Sequence, residues 1–165
     1  MRSPVRSKGN DSDVARVLIT GMSGAGKSSV LEILRGRGYI TVDTDYDGWT
    51  LADGLLDAER MRELLLRSPD IAVSAAVENQ GELYALFDHV VLLSAPVEVY
   101  LERVRNRSNN PYGTTPEQQE QIRVYTIEVE PLMRTGATRE LDAQRSPADL
   151  ANEIESLLTP SIELH

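Results

Sequence analysis

The chain has no cysteine, one phenylalanine, one tryptophan, and two lysines among 17 basic residues. Each scarcity excludes something. Without cysteine there is no disulfide and no thiolate metal site. Acidic residues outnumber basic ones by 26 to 17, a formal charge of −9. With no basic cluster, a nucleic-acid polymer is a disfavoured partner. No apolar run approaches the roughly 18 residues that a membrane span needs. The opening MRSPVRSKGNDSD has no apolar core of a secretory signal. Residues 1–13 read as a disordered tail. The default expectation is a soluble, cytoplasmic monomer. A length of 165 residues suits one domain with a sizeable core, expected over residues 14–160.

Short apolar runs alternate with helical patterns. Strands are expected at Ala15–Thr20, Tyr39–Asp43, Ile71–Ala75, His89–Ser94 and Thr138–Asp142. Helices are expected at Lys27–Arg35, Ala58–Arg67, Gln80–Phe87, from Pro96 to about Arg107, from Thr115 to about Met133, and from Ser146–Pro147 to about Leu158. Continuous apolar strands separated by helices predict an α/β fold with a parallel sheet covered on both faces. SNNPYGTTP is a run of turn formers between two helices.

Between the first strand and the first helix lies Gly21-Met-Ser-Gly-Ala-Gly-Lys-Ser28, which fits G-x-x-x-x-G-K-[ST]. Gly21, Gly24 and Gly26 let the backbone curl so that N–H groups converge, and Ser23, Ala25 and Ser29 complete the cradle. The helix opening at Lys27 adds its positive end, and Ser28 can offer a hydroxyl to Mg²⁺. Of the two lysines, Lys8 is in the tail, so Lys27 is the single lysine of the presumed domain. A compact ammonium suits a phosphate nest that a planar guanidinium does not. The alternative is a plain glycine-rich turn.

The second strand runs into Asp43-Thr-Asp45, with Asp47 nearby. Alternation puts Asp43 and Asp45 on one side, at the carboxyl end of the sheet where ligands bind. One carboxylate can serve a metal through water and the other can take or orient a hydroxyl proton. A solvated acidic turn is the competing reading. Trp49 either walls an acceptor pocket or packs in the core.

The loop, its spacing to the second strand and the five-strand rhythm resemble the small P-loop kinases, such as the adenylate, shikimate and gluconate kinases. The resemblance spans about Ala15 to Leu158. It implies a three-layer fold, a five-stranded parallel sheet in the order 2-3-1-4-5, helices on both faces, and a small lid at about 106–118. It implies ATP and Mg²⁺ as cofactors, with Asp43 on the metal side beside Ser28 and Asp45 as the substrate-side base. Asn79 and Gln80 fall where such kinases touch their acceptor, although Asn79 equally suits a helix cap. Arg103, Arg105 and Arg107 alternate, a spacing that does not put all three on one helical face. At the lid junction, Arg107 is expected to meet the adenine or the phosphates. Arg145, in the loop after the fifth strand, is a candidate to stack on the base. Arg134 is a candidate to reach the acceptor or the transferred phosphate.

Many P-loop proteins end the third strand with an aspartate; here the strand has none, leaving Ser74 or Glu78 as substitutes, or Asp43 to serve alone as in kinases with a similar D-x-D. Val77-Glu-Asn-Gln80 stands where the shikimate kinase pattern has a triple glycine, which disfavours shikimate itself. The expectation is an ATP-dependent phosphotransferase moving the γ-phosphoryl group to a small metabolite or nucleotide. The alternative is a nucleotide-binding regulatory ATPase. A guanine-reading N-K-x-D is absent, which excludes a GTPase switch of that kind.

Overall fold

The computed structural model describes residues 15–46, 48–108 and 110–159. The expected tail and Asp47 lie outside the described residues. The elements follow in the order β1 (Arg16–Gly21), α1 (Lys27–Gly36), β2 (Ile40–Asp43), α2 (Ala58–Leu66), β3 (Ile71–Ser74), a 3-10 helix (Gln80–Leu86), β4 (His89–Ser94), α3 (Val97–Asn106), α4 (Pro116–Glu128), α5 (Glu130–Gly136), β5 (Arg139–Asp142) and α6 (Pro147–Leu158). All five strands are parallel, in the order β2-β3-β1-β4-β5. The fold class, strand order and helices on both faces are those expected from the sequence.

Alternation along β1 divides the core. Val17 and Ile19 join the layer beneath α1, α3 and α6, while Leu18 joins the layer beneath α2 and the 3-10 helix. In α1 the buried positions Lys27, Val30, Leu31 and Leu34 form one stripe. Three helices begin with a side-chain cap: Asp57 on α2, Thr115 on α4 and Ser146 on α6. The parallel register sets the carboxyl ends of β1, β2 and β3 side by side, with Asp43 opposite Ser74. The loops that carry chemistry leave from that edge.

One expected element divides. The helix from Thr115 does not continue to Met133; it stops at Glu128 and a second helix begins at Glu130. Pro131 is the physical reason. It has no N–H to give to the carbonyl of Ile127, and its ring would clash there, so the chain restarts with proline in a first turn. The restart is anchored: the Tyr100 hydroxyl on α3 donates to the buried Glu130 carboxylate and accepts from Ala95 N at 2.8 Å. Among the described residues, no helix is long and apolar enough to cross a membrane.

Candidate active site

The phosphate-type loop occupies the β1–α1 turn. Gly24 and Gly26 have φ of 92° and 98°, the left-handed region that side chains disfavour. A Cβ on Gly24 would also lie 2.7 Å from the Tyr100 carbonyl oxygen. Lys27 reaches back over its own loop, and Nζ donates to the carbonyls of Gly21 (2.7 Å) and Met22 (3.1 Å). Burial pushes its pKa below the ordinary lysine value; the charges of Asp45 and Asp43 oppose the shift, and Arg107 adds to it. Ser28 Oγ donates to Asp43 Oδ2 at 2.6 Å, and Asp43 Oδ1 accepts from Asp45 N at 3.1 Å. The hydroxyl and both aspartates therefore form one hydrogen-bonded string at the end of β2.

A cavity of about 250 Å³ lies over this loop, lined by Ser23, Gly24, Gly26, Lys27, Ser28 and Ser29, and closed by Asp45, Tyr46, Arg103, Arg107 and Asn110. Arg103 on α3 links two loops: Nη1 donates to Gly24 O and Ala25 O, both at 3.3 Å, and Nη2 donates to Ala143 O at 2.7 Å. Arg107 donates to Asn110 O (3.1 Å), Tyr112 O (2.9 Å) and Ser23 Oγ (3.4 Å). It thereby ties the α3–α4 connection to the phosphate loop. Burial lowers its pKa, against the raising influence of Tyr46 and Asp45. The connection is itself tightly held. Gly113, at φ 100°, is pressed against Val104, where any Cβ would overlap the valine. Gln118 accepts from Gly113 N and Gln119 donates to Gly113 O.

A second, larger cavity of about 810 Å³ opens on the other side of the loop. Its walls come from five regions: Met22 at the loop, Asp45 after β2, Val77, Glu78, Gln80 and Tyr84 after β3, Tyr112 in the α3–α4 connection, and the stripe Ile122, Tyr125, Val129, Leu132, Met133 along α4 and α5. Gln80 lines it but is already occupied. Its Oε1 accepts from Val77 N (2.9 Å), and its Nε2 donates to Thr20 Oγ1 and the Tyr84 hydroxyl (both 2.9 Å). Ser23, Lys27 and Asp45 line both cavities.

The structure thus gathers Gly21, Ser23, Gly24, Gly26, Lys27, Ser28, Ser29, Asp43, Asp45, Gln80 and Arg107 around the two spaces, with Ala25 buried beneath the loop. Four other candidates are placed elsewhere. Trp49 is buried in the α2 layer, with the Arg60 guanidinium 3.8 Å above its ring. Asn79 spends its amide on both backbone groups of Leu56, at 2.9 and 3.1 Å, and makes no cap bond. Arg134 pairs with Glu140 at 3.0 Å and with Glu130 at 3.5 Å. Arg145 pairs with Glu153 at 2.7 Å on α6. None of the four lines either cavity.

Sequence reasoning missed Arg103, Tyr46 and the aromatic walls of the larger cavity. Arg103 had a signal: it lies four residues before Arg107, so those two share a helix face although Arg105 does not. The stripe on α4 and α5 had one also, since Ile122, Tyr125, Val129 and Met133 recur at helical spacing. Tyr46 and Tyr84 had none.

The fold is shared with solved kinase structures. Among solved structures the chain is similar to a shikimate kinase from Acinetobacter baumannii in complex with shikimate, at TM-score 0.68 and 22% identity, covering 88% of this chain and 93% of that one. A gluconokinase from Sinorhizobium meliloti 1021 gives TM-score 0.60 at 21% identity, covering 88% and 92%. A sugar kinase from Janibacter sp. HTCC2649 gives TM-score 0.59 at 18% identity, covering 92% and 99%. Among curated proteins, a dephospho-CoA kinase of Streptococcus pyogenes serotype M1 is 34% identical over 97 residues, covering 44% of this chain and 49% of the relative. A nucleotide-binding protein of Cupriavidus taiwanensis is 33% identical over 100 residues, covering 53% of this chain and 32% of the relative. The matches thus span about half the length of those curated relatives, or less. No protein-family model matches the chain.

Proposed function

We propose that the chain is an ATP-dependent phosphotransferase that moves the γ-phosphoryl group to a hydroxyl of a small molecule. The observation that carries this reading is the pair of cavities that meet at Ser23, Lys27 and Asp45. A donor in the smaller space and an acceptor in the larger would face each other across those three residues. The curated kinase relatives and the kinase neighbours of the fold support the same reading.

In this reading the loop amides and the N-terminus of α1 hold the β- and γ-phosphates. Lys27 leaves the carbonyls of Gly21 and Met22 to follow the charge of the moving phosphoryl group. Asp45 orients the acceptor O–H and takes its proton as the oxygen attacks γ-phosphorus; the bond to the β–γ bridging oxygen breaks and ADP departs. Arg107, bonded to Ser23, keeps the α3–α4 connection, residues 106–118, over the donor as a lid and excludes water that would otherwise be the acceptor.

The residues present also fit Mg²⁺. No group of three His, Cys, Asp or Glu able to hold a metal occurs among the described residues, but a Mg²⁺ carried in on phosphates needs only a hydroxyl and an outer carboxylate. Ser28 and Asp43, hydrogen-bonded at 2.6 Å, supply that pair. Bound there, the ion would neutralise charge on the β- and γ-oxygens. A soluble, cytoplasmic monomer belongs to the same proposal.

The test is ADP release with ATP and Mg²⁺ in the presence and absence of hydroxylated acceptors. Acceptor-dependent release that disappears in Lys27→Ala supports the reading. ATP binding with no acceptor dependence would favour a regulatory ATPase instead.

A further inference from the structure

The walls of the larger cavity restrict what the acceptor can be; this step rests on the phosphotransferase reading and sharpens it. Much of its lining is apolar or aromatic, including Tyr84, Tyr112, Tyr125, Ile122, Leu132 and Met133. Tyr125 and Leu132 remain 43% and 68% exposed, so the stripe is open to a ligand rather than sealed in the core.

The charged groups are unequal. Asp45 and Glu78 line the cavity, and Glu78 has no hydrogen-bond or ion-pair partner among the described residues. Lys27 is the single basic side chain among the described residues of the lining, and the donor phosphates would claim it. The nearby guanidinium groups are committed: Arg107 to Asn110, Tyr112 and Ser23 on the nucleotide side, Arg134 to Glu130 and Glu140, and Arg60 to the Trp49 ring and Gly48 O. A carboxylate or phosphate on the acceptor would therefore sit beside two carboxylates and the γ-phosphate with no cation of its own. Asp45 and Glu78 are exposed, so solvent screens the repulsion, but like charges brought together still oppose binding. An amine meets the reverse situation, with Glu78 as its ion partner and tyrosine faces for cation–π contact.

We propose that the acceptor is a hydroxylated, ring-bearing molecule without negative charge, with an amino group favoured near Glu78, and that sugar acids and nucleoside monophosphates are rejected. The solved shikimate kinase and gluconokinase share the fold but are named for carboxylated acceptors, so the fold alone does not set this choice.

The experiment compares ADP release across matched ring-bearing alcohols in three charge sets: amines, neutral compounds, and carboxylated or phosphorylated counterparts. The same sets are run with Glu78→Arg, and ATP affinity is measured for both proteins as a check on folding. The expected result is a kcat/KM at least ~10-fold higher for amine or neutral members than for their anionic counterparts. In Glu78→Arg that ratio should fall by about 10-fold, mostly through KM. A wild-type preference for the anionic set overturns this inference and leaves the phosphotransferase reading standing. A Glu78→Arg protein that binds ATP and keeps the wild-type ratio overturns the role of Glu78 and the amine preference. Failure of all three sets to raise ADP release, with ATP bound, overturns both readings together.

Discussion

The two cavities that meet at Lys27 are built in opposite ways. The smaller is made mainly by one contiguous loop, Ser23 to Ser29, and closed by Asp45, Tyr46, Asn110 and two arginines four residues apart on the α3 side. Its recognition elements are backbone amides, a buried ammonium and guanidinium groups. The larger draws on five separated stretches and presents tyrosines, aliphatic side chains and two carboxylates. A polyphosphate is chemically the same for every enzyme that uses it, so a short invariant geometry can hold it. An acceptor differs from one enzyme to another, and its walls must be assembled from whatever segments the fold brings near.

That contrast can be broken by substitution. Lys27→Ala removes the one cation that faces both spaces, and acceptor-dependent turnover should fall by about 10²–10³-fold, read as kcat in an ADP-release assay. Asp45→Asn keeps the shape but not the proton acceptor. It should lower kcat by about 10²-fold while leaving ATP affinity within a few-fold, as measured by calorimetry. An equal loss of ATP affinity would place Asp45 on the nucleotide side instead.

Smaller effects sharpen the division between site and scaffold. Asn79→Ala leaves both backbone groups of Leu56 without their amide partner. It should cost about 1–3 kcal/mol of stability in denaturant unfolding and spare kcat. Tyr125→Ala, at the cavity mouth, should raise the acceptor KM several-fold, an effect of about 1 kcal/mol, with ATP affinity unchanged. The pH dependence of ATP affinity follows from Lys27. Its pKa in the free protein is lowered chiefly by burial, and phosphate would raise it again. Binding therefore takes up a proton once Lys27 begins to lose its own. Affinity should fall as pH rises, with onset below the ordinary lysine range, and the fall should be absent in Lys27→Ala.

The same contrast explains what the sequence disclosed. The smaller cavity was legible because its chemistry lies in eight consecutive residues; β2 carries Asp43 to the same edge, but Asp45 lies beyond the strand, in a turn held by its N–H donating to Asp43 Oδ1, and not by the alternation expected. The parallel sheet was legible from continuous apolar strands. The larger cavity was not, since Tyr84, Tyr112 and Met133 meet only after the 3-10 helix, the α3–α4 connection and α5 have packed. Asn79 and Trp49 looked like ligand contacts because their positions in the chain suit them, yet backbone groups of Leu56 and the Arg60 guanidinium claim them first. Arg134 and Arg145 were similarly drawn into ion pairs with Glu140 and Glu153, residues six and eight positions further along. The division of α4 from α5 turns on Pro131, a breaker plainly visible in the chain but masked by the helical pattern on either side of it.

The measurement that bears most directly on the meeting of the two cavities is a single turnover with ATP labelled at the γ-phosphate, run with and without a hydroxylated acceptor in wild type and Asp45→Asn. The account predicts label on the acceptor hydroxyl in the wild type. It predicts ATP binding without transfer in Asp45→Asn. Label released as inorganic phosphate at one rate, whether or not any acceptor is present and whether or not Asp45 is intact, would contradict it.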